Sequence, residues 1–179
     1  MKNSGLVHLY CGDGKGKTTA AVGLAVRHSG RGGKVVFAQF LKDGTSGECR
    51  VLAKLGVTVL AANPVGKFSF RMTEEEKAET AAALGRTFDA ATGFAVRERA
   101  TLLVLDEICA AVNCGFLPEK TLTEFLESRP DSLEVVLTGR DPSENLQVHA
   151  DYITEMKKRR HPFDEGVAAR EGIEFWTYI

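Results

Sequence analysis

The sequence predicts an α/β fold in which helices cover both faces of a doubly wound, mostly parallel sheet. Its hydrophobic runs are short, continuous and rich in Val, Leu and Ile, which is typical of strands that are buried on both faces. Segments with helical spacing of apolar residues separate these runs, and strands that alternate with helices form open parallel sheets. The 179 residues have the length of one domain, and no linker or repeat divides residues 1–179.

Six apolar runs are the predicted strands. In chain order they span residues 6–11, 34–40, 57–62, 102–106, 133–138 and 152–156. Turn-forming glycines precede the second run, and Gly139 ends the fifth. The third run is a weaker strand pattern than the runs on either side of it, and the sixth is a candidate for a last strand.

The intervening helices carry start and stop signals. One helix follows the first strand, from about residue 17 to 29, and Thr73 with Glu76 forms a capping box at the start of another. Apolar residues then recur at helical spacing, namely Ala78, Ala81, Ala82, Phe88, Ala91 and Ala95. A third helix has Pro118 in its first turn and ends before Pro130, and its apolar face consists of Leu122, Phe125 and Leu126.

Composition excludes several classes of protein. The 23 Lys and Arg residues balance 24 Asp and Glu residues, so the net charge of −1 provides no overall attraction to nucleic acid or to an acidic membrane. No apolar run approaches the roughly 18 residues that a membrane helix needs. The N-terminus has no hydrophobic stretch of the kind found in signal peptides. We therefore expect a cytoplasmic protein with no nucleic-acid or membrane partner.

The four cysteines are Cys11, Cys49, Cys109 and Cys114. None forms a Cys-x-x-Cys pair, and no pair of histidines lies near them, so their spacing does not favour a zinc site. Buried, inert thiols in a reducing cytoplasm are the interpretation that we prefer.

A phosphate-binding loop lies between the first strand and the first helix. Its residues are Gly12, Asp13, Gly14, Lys15, Gly16, Lys17, Thr18 and Thr19. Glycines allow the backbone to turn its N–H groups onto phosphate oxygens, and the helix N-terminus adds partial positive charge. Lys17 would reach the outer phosphates and the Thr18 hydroxyl would bind Mg²⁺.

The loop departs from the general phosphate-loop pattern at one position. The pattern G-x-x-x-x-G-K-[ST] has Gly where this chain has Cys11, and the first glycine comes one residue later. A merely flexible Gly/Lys turn is the alternative, but the order of strand, Gly-Lys-Thr-Thr and helix favours a phosphate site.

Charged residues at two other strand ends complete the predicted site. Asp106 and Glu107 follow a buried strand, and a carboxylate there binds Mg²⁺ directly or through water. The sequence does not decide which of the two contacts the ion. Arg140 follows another strand and either faces the triphosphate or pairs on the surface with Asp141 or Glu144.

These features predict a P-loop NTPase-like (RecA-like) domain, which does not by itself name a reaction. A kinase usually has an arginine-rich lid, and the basic residues 157–160 form either such a lid or a solvated face. A GTPase would have an Asn-Lys-x-Asp motif, which is absent from the sequence, and a motor or helicase would be longer. A small kinase or ATPase and a non-catalytic, nucleotide-dependent switch are both compatible with this site.

The chain resembles the P-loop type of corrinoid adenosyltransferase, the cob(I)yrinic acid a,c-diamide or cob(I)alamin adenosyltransferases, over nearly its whole length. The phosphate loop is similar to that family's own variant, including the non-Gly first position. The other similar segments are residues 39–42, 104–108, 138–141, 150–156 and 161–174.

This resemblance implies a reaction, to which a small P-loop kinase or ATPase and a non-catalytic, nucleotide-dependent corrinoid carrier are the alternatives. The Co(I) of a reduced corrinoid attacks C5′ of ATP, which is the co-substrate, and inorganic triphosphate leaves. Co(I) is already a strong nucleophile, so no general base is required, which agrees with the lack of a Ser-His-Asp or Cys-His arrangement. The protein holds the triphosphate and presents C5′ to cobalt. The groups that would bind the triphosphate are Lys17, Thr18, Asp106, Glu107 and Mg²⁺ (or Mn²⁺).

Phe68 and Phe70 match two aromatic positions of the family, whose members use them to exclude the lower axial ligand of cobalt so that Co(II) is easier to reduce. The second position is commonly Trp, so Phe70 keeps the shape without the indole N–H. The alternative is that both phenylalanines are ordinary core residues on a short strand.

The resemblance also implies partners. Family members are similar in forming homodimers, and the reduction of cobalt calls for an electron donor such as a reduced flavoprotein. Many carry an N-terminal extension that folds over the corrinoid, whereas here the phosphate loop begins about ten residues into the chain. We therefore expect a corrinoid site that is more open or is completed by a partner chain.

Overall fold

The computed structural model describes residues 4–62, 67 and 69–173. Its strands are β1 (Val7–Cys11), β2 (Val35–Gln39), β3 (Thr58–Ala61), β4 (Leu102–Asp106), β5 (Glu134–Thr138) and β6 (Tyr152–Glu155). Its helices are α1 (Lys17–Ser29), α2 (Gly47–Lys54), α3 (Glu74–Arg97), α4 (Ile108–Asn113), α5 (Glu119–Ser128) and α6 (Glu144–Gln147). All six predicted strands are confirmed, and the central strands β2 and β4 are buried on both faces, as their continuous apolar runs indicate.

The six strands form one parallel sheet in the order β3-β2-β4-β5-β1-β6. One strand, β5, lies between β1 and β4, so the phosphate loop and the Asp106–Glu107 pair follow strands that are not neighbours. Since all strands run in the same direction, the loops after their carboxyl ends meet at one edge of the sheet.

Helices pack on both faces of this sheet, which confirms the doubly wound prediction. Alternate residues of each strand point to opposite faces: in β2, Phe37 packs with α1 and α2, and Ala38 packs with α3, α4, α5 and α6. The strands β2 and β4 are buried at every position, whereas all four residues of the edge strand β6 are exposed.

The capping box of α3 is confirmed: the Thr73 hydroxyl accepts a hydrogen bond from the Glu76 N–H, and the Glu76 carboxylate accepts one from the Thr73 N–H. The prediction for its apolar face is partly wrong, because Ala78 and Ala82 are exposed. The buried stripe begins at Thr80, and residues two positions away from it lie about 200° around the helix, on the opposite side. The buried residues of α3 are Thr80, Leu84, Thr87, Phe88, Ala91, Thr92 and Ala95.

Three short helices were not predicted, namely α2, α4 and α6, which have 8, 6 and 4 residues. Such segments are too short for a periodic pattern to identify them. The helix α5 ends at Ser128, before Pro130 as predicted, although Pro118 occupies its N-cap rather than its first turn. Among the described residues, no helix is long and apolar enough to cross a lipid bilayer.

The thiols of Cys11, Cys49 and Cys109 are buried, as predicted, and burial raises the pKa of Cys109 to about 12. The prediction is wrong for Cys114, which is exposed because it follows the last residue of α4. In the described part of the chain, no group of three or more His, Cys, Asp or Glu side chains is placed to hold a metal ion.

Candidate functional site

The phosphate loop connects the end of β1 to the start of α1, as the sequence predicted. Cys11 is the last residue of β1 and only 7% exposed, so its backbone is still extended and needs no glycine. The turn begins at Gly12, whose φ of 99° is accessible almost only to glycine. The departure from the general motif therefore has a structural reason, since the strand is one residue longer before the chain turns.

Lys17 lies inside the loop. Its side chain is nearly buried, and its Nζ donates hydrogen bonds to the carbonyl oxygens of Gly12 (2.7 Å) and Gly14 (2.8 Å). Burial, together with the nearby Arg140, lowers the pKa of the Lys17 ammonium. The loop thus folds around a cation that is already oriented, which suits the binding of phosphate oxygens.

The segment that follows β6 supports the loop from outside, and the sequence motif contains no signal for this contact. The Gly14 N–H donates to the Met156 carbonyl (2.6 Å), and the Lys158 N–H donates to the Asp13 carboxylate (2.9 Å). The second of these hydrogen bonds lowers the pKa of Asp13. Loop residues 13 and 14 are therefore held by the neighbouring strand β6 and the residues after it.

We expect Gly14→Ala to destabilise the protein by about 1–3 kcal/mol, because its Cβ would lie 2.6 Å from the Met156 carbonyl oxygen. Gly23→Ala is a matched control, since nothing lies within 4 Å of a Cβ at that position in α1 and alanine should stabilise the helix by about 0.5–1 kcal/mol. Urea unfolding measures both changes. Equal stability of the two variants would contradict the close approach between the loop and Met156.

Asp106 connects three strand ends. The side chain is fully buried, and its Oδ1 accepts hydrogen bonds from the hydroxyls of Thr18 and Thr138, each 2.8 Å long. Its Oδ2 has longer contacts, 3.4 Å to the Gln39 Nε2 and 3.6 Å to the Lys42 Nζ. Asp106 therefore contacts Thr18 directly across the end of the intervening strand β5, and Thr138 at that strand end donates to the same carboxylate oxygen.

Glu107 has a different position from Asp106. Its backbone is left-handed (φ 64°), and its N–H donates to the Thr138 hydroxyl (2.9 Å), which turns the Glu107 side chain away from the buried network. Glu107 lines the cleft described next. Burial and the adjacent Asp106 raise its pKa above the usual range for a carboxyl group. Asp106 therefore accepts the hydrogen bond of the Thr18 hydroxyl, whereas Glu107 faces the cleft.

A cleft of about 760 Å³ opens over the phosphate loop. Loop residues 13–19 form one wall, and Arg140 and Glu107 border it. Arg140 is exposed, and no ion pair joins it to Asp141 or Glu144, all three of which the structure describes. Of the two positions that the sequence left open for Arg140, the structure has the one that faces the cleft.

Residues 161–173 form another wall of the cleft. The Lys15 Nζ donates to the Ile173 carbonyl (2.7 Å), so a loop lysine holds this segment beside the phosphate loop. His161 accepts a hydrogen bond from the Phe163 N–H and caps the 3₁₀ turn Pro162–Glu165.

Three of the four basic residues at 157–160 pair with neighbouring acids, and none of the four lines the cleft. Lys157 pairs with Glu155, and Lys158 pairs with Asp164. Arg160 lies 3.9 Å from Glu165. These contacts favour a solvated face over a kinase-type lid.

The aromatic pair predicted for the corrinoid is only partly described. Phe68 lies outside the described residues. Phe70 lies in the 3₁₀ turn Ser69–Arg71 after β3 and is 77% exposed, so the alternative that Phe70 is a core residue is wrong. The turn comes after the carboxyl end of β3 in the chain and directly before α3.

Comparison with known proteins agrees with this geometry. The model of the family ATP:corrinoid adenosyltransferase BtuR/CobO/CobP matches residues 3–175. The chain belongs to the corrinoid adenosyltransferase family. It is therefore an enzyme of the transferase class, and the family resemblance seen in the sequence is confirmed.

Individual relatives cover nearly the whole chain. A corrinoid adenosyltransferase from Sinorhizobium sp. is 33% identical over 96% of this chain and 80% of its own length. Corrinoid adenosyltransferase CobA from Salmonella typhimurium is 34% identical over 98% of this chain and 88% of its own length. Among solved structures, KaiC-like protein PH0186 from Pyrococcus horikoshii aligns over 86% of this chain and 72% of its own, with a TM-score of 0.49 and 18% identity.

The site of this protein contains a set of oxygen ligands that suits a hard divalent cation. Thr18, Asp106 and Glu107 offer only oxygen atoms, and ions such as Mg²⁺ prefer oxygen ligands and take the remainder from water and phosphate. Sequence reasoning missed Gln39, Lys42 and Glu48, which line or support the same site. For Gln39 the signal was a polar residue at the end of an apolar strand, the feature that identified Asp106, whereas Lys42 and Glu48 follow that strand end and have no such signal.

Proposed function

We propose that the protein transfers the 5′-deoxyadenosyl group of ATP to the Co(I) of a reduced corrinoid and releases inorganic triphosphate, in the synthesis or salvage of adenosylcobalamin. The observation that carries the proposal is a phosphate loop with an oriented lysine and a buried acid on its threonine, in a member of the corrinoid adenosyltransferase family.

The reaction forms one bond and breaks one. The electron pair of Co(I) forms the Co–C5′ bond, and the C5′–O bond breaks with its electron pair on the triphosphate. Lys17 and the free N–H groups of the loop bind the triphosphate and stabilise the charge that develops on it. Arg140 and residues 15–19 keep the nucleotide in a fixed position so that C5′ is presented to cobalt.

A divalent cation, Mg²⁺ or Mn²⁺, would be held by Thr18 and the two acids and would neutralise part of the triphosphate charge. Asp106 accepts the Thr18 hydroxyl proton in a hydrogen bond, which directs the lone pairs of that oxygen toward the cleft. Glu107 faces the cleft directly, where it would orient bound water or the ion.

The proposal includes an external source of electrons and a second copy of the chain. Co(II) must gain one electron before transfer, and a reduced flavoprotein is the class of donor that we propose. We also propose that the enzyme is a cytoplasmic homodimer. Light scattering with chromatography measures its mass against the 19.4 kDa of one chain.

Product analysis tests the proposed reaction. Protein, ATP, Mg²⁺ and chemically reduced cobalamin should give equal amounts of adenosylcobalamin and intact triphosphate. ADP and phosphate as products would instead identify a kinase or ATPase. Binding of both ligands without turnover would identify a carrier and overturn the proposal.

Replacement of the aromatic side chains tests the proposed corrinoid contact. We expect Phe70→Ala to lower turnover about tenfold when the assay starts from Co(II), with a much smaller effect from pre-reduced Co(I), because exclusion of the axial ligand matters only before reduction. Phe68→Ala should behave in the same way. Phe70→Trp is the matched control, since an indole keeps the apolar surface. Equal losses from both cobalt states would contradict the role.

A further inference from the structure

Lys42 lies between two carboxylates at the mouth of the cleft. It follows β2, and its Nζ is 3.6 Å from the Asp106 Oδ2 and 3.8 Å from the Glu48 Oε1. Lys42 and Glu48 are each about one-quarter exposed and both line the cleft, whereas Asp106 is fully buried behind them. The ammonium is therefore a positive charge beside the buried acid of the phosphate site.

The contacts of Lys42 with the two carboxylates are ion pairs rather than short hydrogen bonds. Charged hydrogen bonds between an ammonium and a carboxylate are typically about 2.7–2.9 Å long. The distances from the Lys42 Nζ to Asp106 and Glu48 are longer by most of an ångström. A buried carboxylate needs a compensating charge, so Lys42 has a clear reason to be near Asp106, and a divalent cation at the same carboxylate would compete with it.

Glu48 is held in place by a hydrogen bond to a buried side chain. Its Oε1 accepts a hydrogen bond from the Gln39 Nε2 (3.1 Å), and Gln39 is fully buried. The side-chain oxygen of Gln39, Oε1, accepts hydrogen bonds from the Ser46 hydroxyl and the Cys49 thiol, which ties the start of α2 to the end of β2. Glu48 is thus an anchor that keeps the Lys42 ammonium at the cleft if its contact with Asp106 is lost.

We propose that Lys42 is a second triphosphate-binding cation, retained on Asp106 and Glu48 until a divalent ion and the polyphosphate bind. This inference rests on the proposed function, because it concerns the same triphosphate site. A divalent ion near Thr18 repels the ammonium from Asp106, and the triphosphate attracts it. The flexible lysine side chain then turns about its contact with Glu48 and contacts a phosphate oxygen in the cleft that Lys42, Glu48 and Lys17 all line.

The proposal predicts changes of opposite sign in two binding measurements that need no corrinoid. Lys42→Gln should bind Mg²⁺-tripolyphosphate about tenfold more weakly by calorimetry, because a charged hydrogen bond to phosphate is lost. The same variant should bind Mn²⁺ alone severalfold more tightly, measured from the spin resonance of free Mn²⁺, because the competing ammonium is absent. Lys42→Arg should retain most of the tripolyphosphate affinity.

Two further variants keep the test decisive. Lys54→Gln removes the same charge from the exposed end of α2, outside the cleft, and should leave both affinities unchanged. Lys42→Met keeps the aliphatic chain and replaces the Gln variant if that one does not fold. Unchanged tripolyphosphate binding, or weaker binding of both probes, would overturn the proposal, since the latter result would mean that Lys42 only keeps Asp106 in place.

The outcome is separable from that of the proposed function. If the wild-type protein binds Mg²⁺-tripolyphosphate but produces no adenosylcobalamin, the proposed adenosyl transfer is contradicted. The role of Lys42 is then still tested by the affinities of Lys42→Gln for Mg²⁺-tripolyphosphate and Mn²⁺. Formation of adenosylcobalamin together with unchanged affinities in Lys42→Gln would support the transfer and refute the role of Lys42.

Discussion

Lys17→Ala should lower kcat/KM for ATP by at least about 100-fold, which corresponds to roughly 3 kcal/mol of transition-state stabilisation. The Lys17 ammonium is the cation that the loop surrounds, and it is held on the Gly12 and Gly14 carbonyls at the place where phosphate oxygens would bind. Without Lys17, the leaving triphosphate loses the main positive charge that the protein provides.

The fold should survive this change. Loss of two hydrogen bonds to loop carbonyls costs about 1–2 kcal/mol, which thermal unfolding would register as a decrease of a few degrees. Lys54→Ala removes an exposed lysine of α2 and should leave kcat/KM unchanged. Retention of activity in Lys17→Ala would refute the phosphate role of the loop.

Asp106→Asn should raise the Mg²⁺ concentration needed for half-maximal ATP binding by about 100-fold, because it removes a negative charge behind Thr18 and disturbs a buried network. The asparagine oxygen can still accept from Thr18 and Thr138. Its NH₂ group, however, would face the Gln39 amide and the Lys42 ammonium, which are both donors.

Glu107→Gln provides the comparison that assigns the two acids. Glu107 faces the cleft but its side chain holds neither threonine hydroxyl, so we expect a smaller increase of about tenfold. Asp89→Asn, at an exposed position of α3, should have no effect. A larger effect from Glu107→Gln than from Asp106→Asn would reverse the proposed division of roles.

Most of the regular structure could be predicted because its signals are local. Strands such as β2 and β4 are apolar at every position, and the capping box at Thr73 consists of residues three positions apart. The short helices α2, α4 and α6 escaped prediction because four to eight residues contain too few turns to show a period. The exposed Ala78 shows the related error, since alanine fits either face of a helix.

The candidate site was predictable to the extent that single segments contain it. The phosphate loop, Thr18 and the Asp106–Glu107 pair are contiguous motifs. The sequence did not decide whether Arg140 faces the triphosphate or forms a surface ion pair, because its environment depends on strand order. Its place beside the cleft follows from β5 lying between β1 and β4. Phe70 was likewise undecided, and its high exposure comes from the 3₁₀ turn after β3.

By itself, the sequence determined the α/β class, the positions of the strands, the phosphate loop and the family. Only the tertiary structure decided that Asp106 rather than Glu107 bonds to Thr18, that residues after β6 support the loop, and that Lys42 lies on the buried acid. The physical reason is the difference between local and long-range interactions. Apolar patterns encode how one strand is buried, whereas the packing of distant segments selects its neighbours and therefore the side chains that meet at its end.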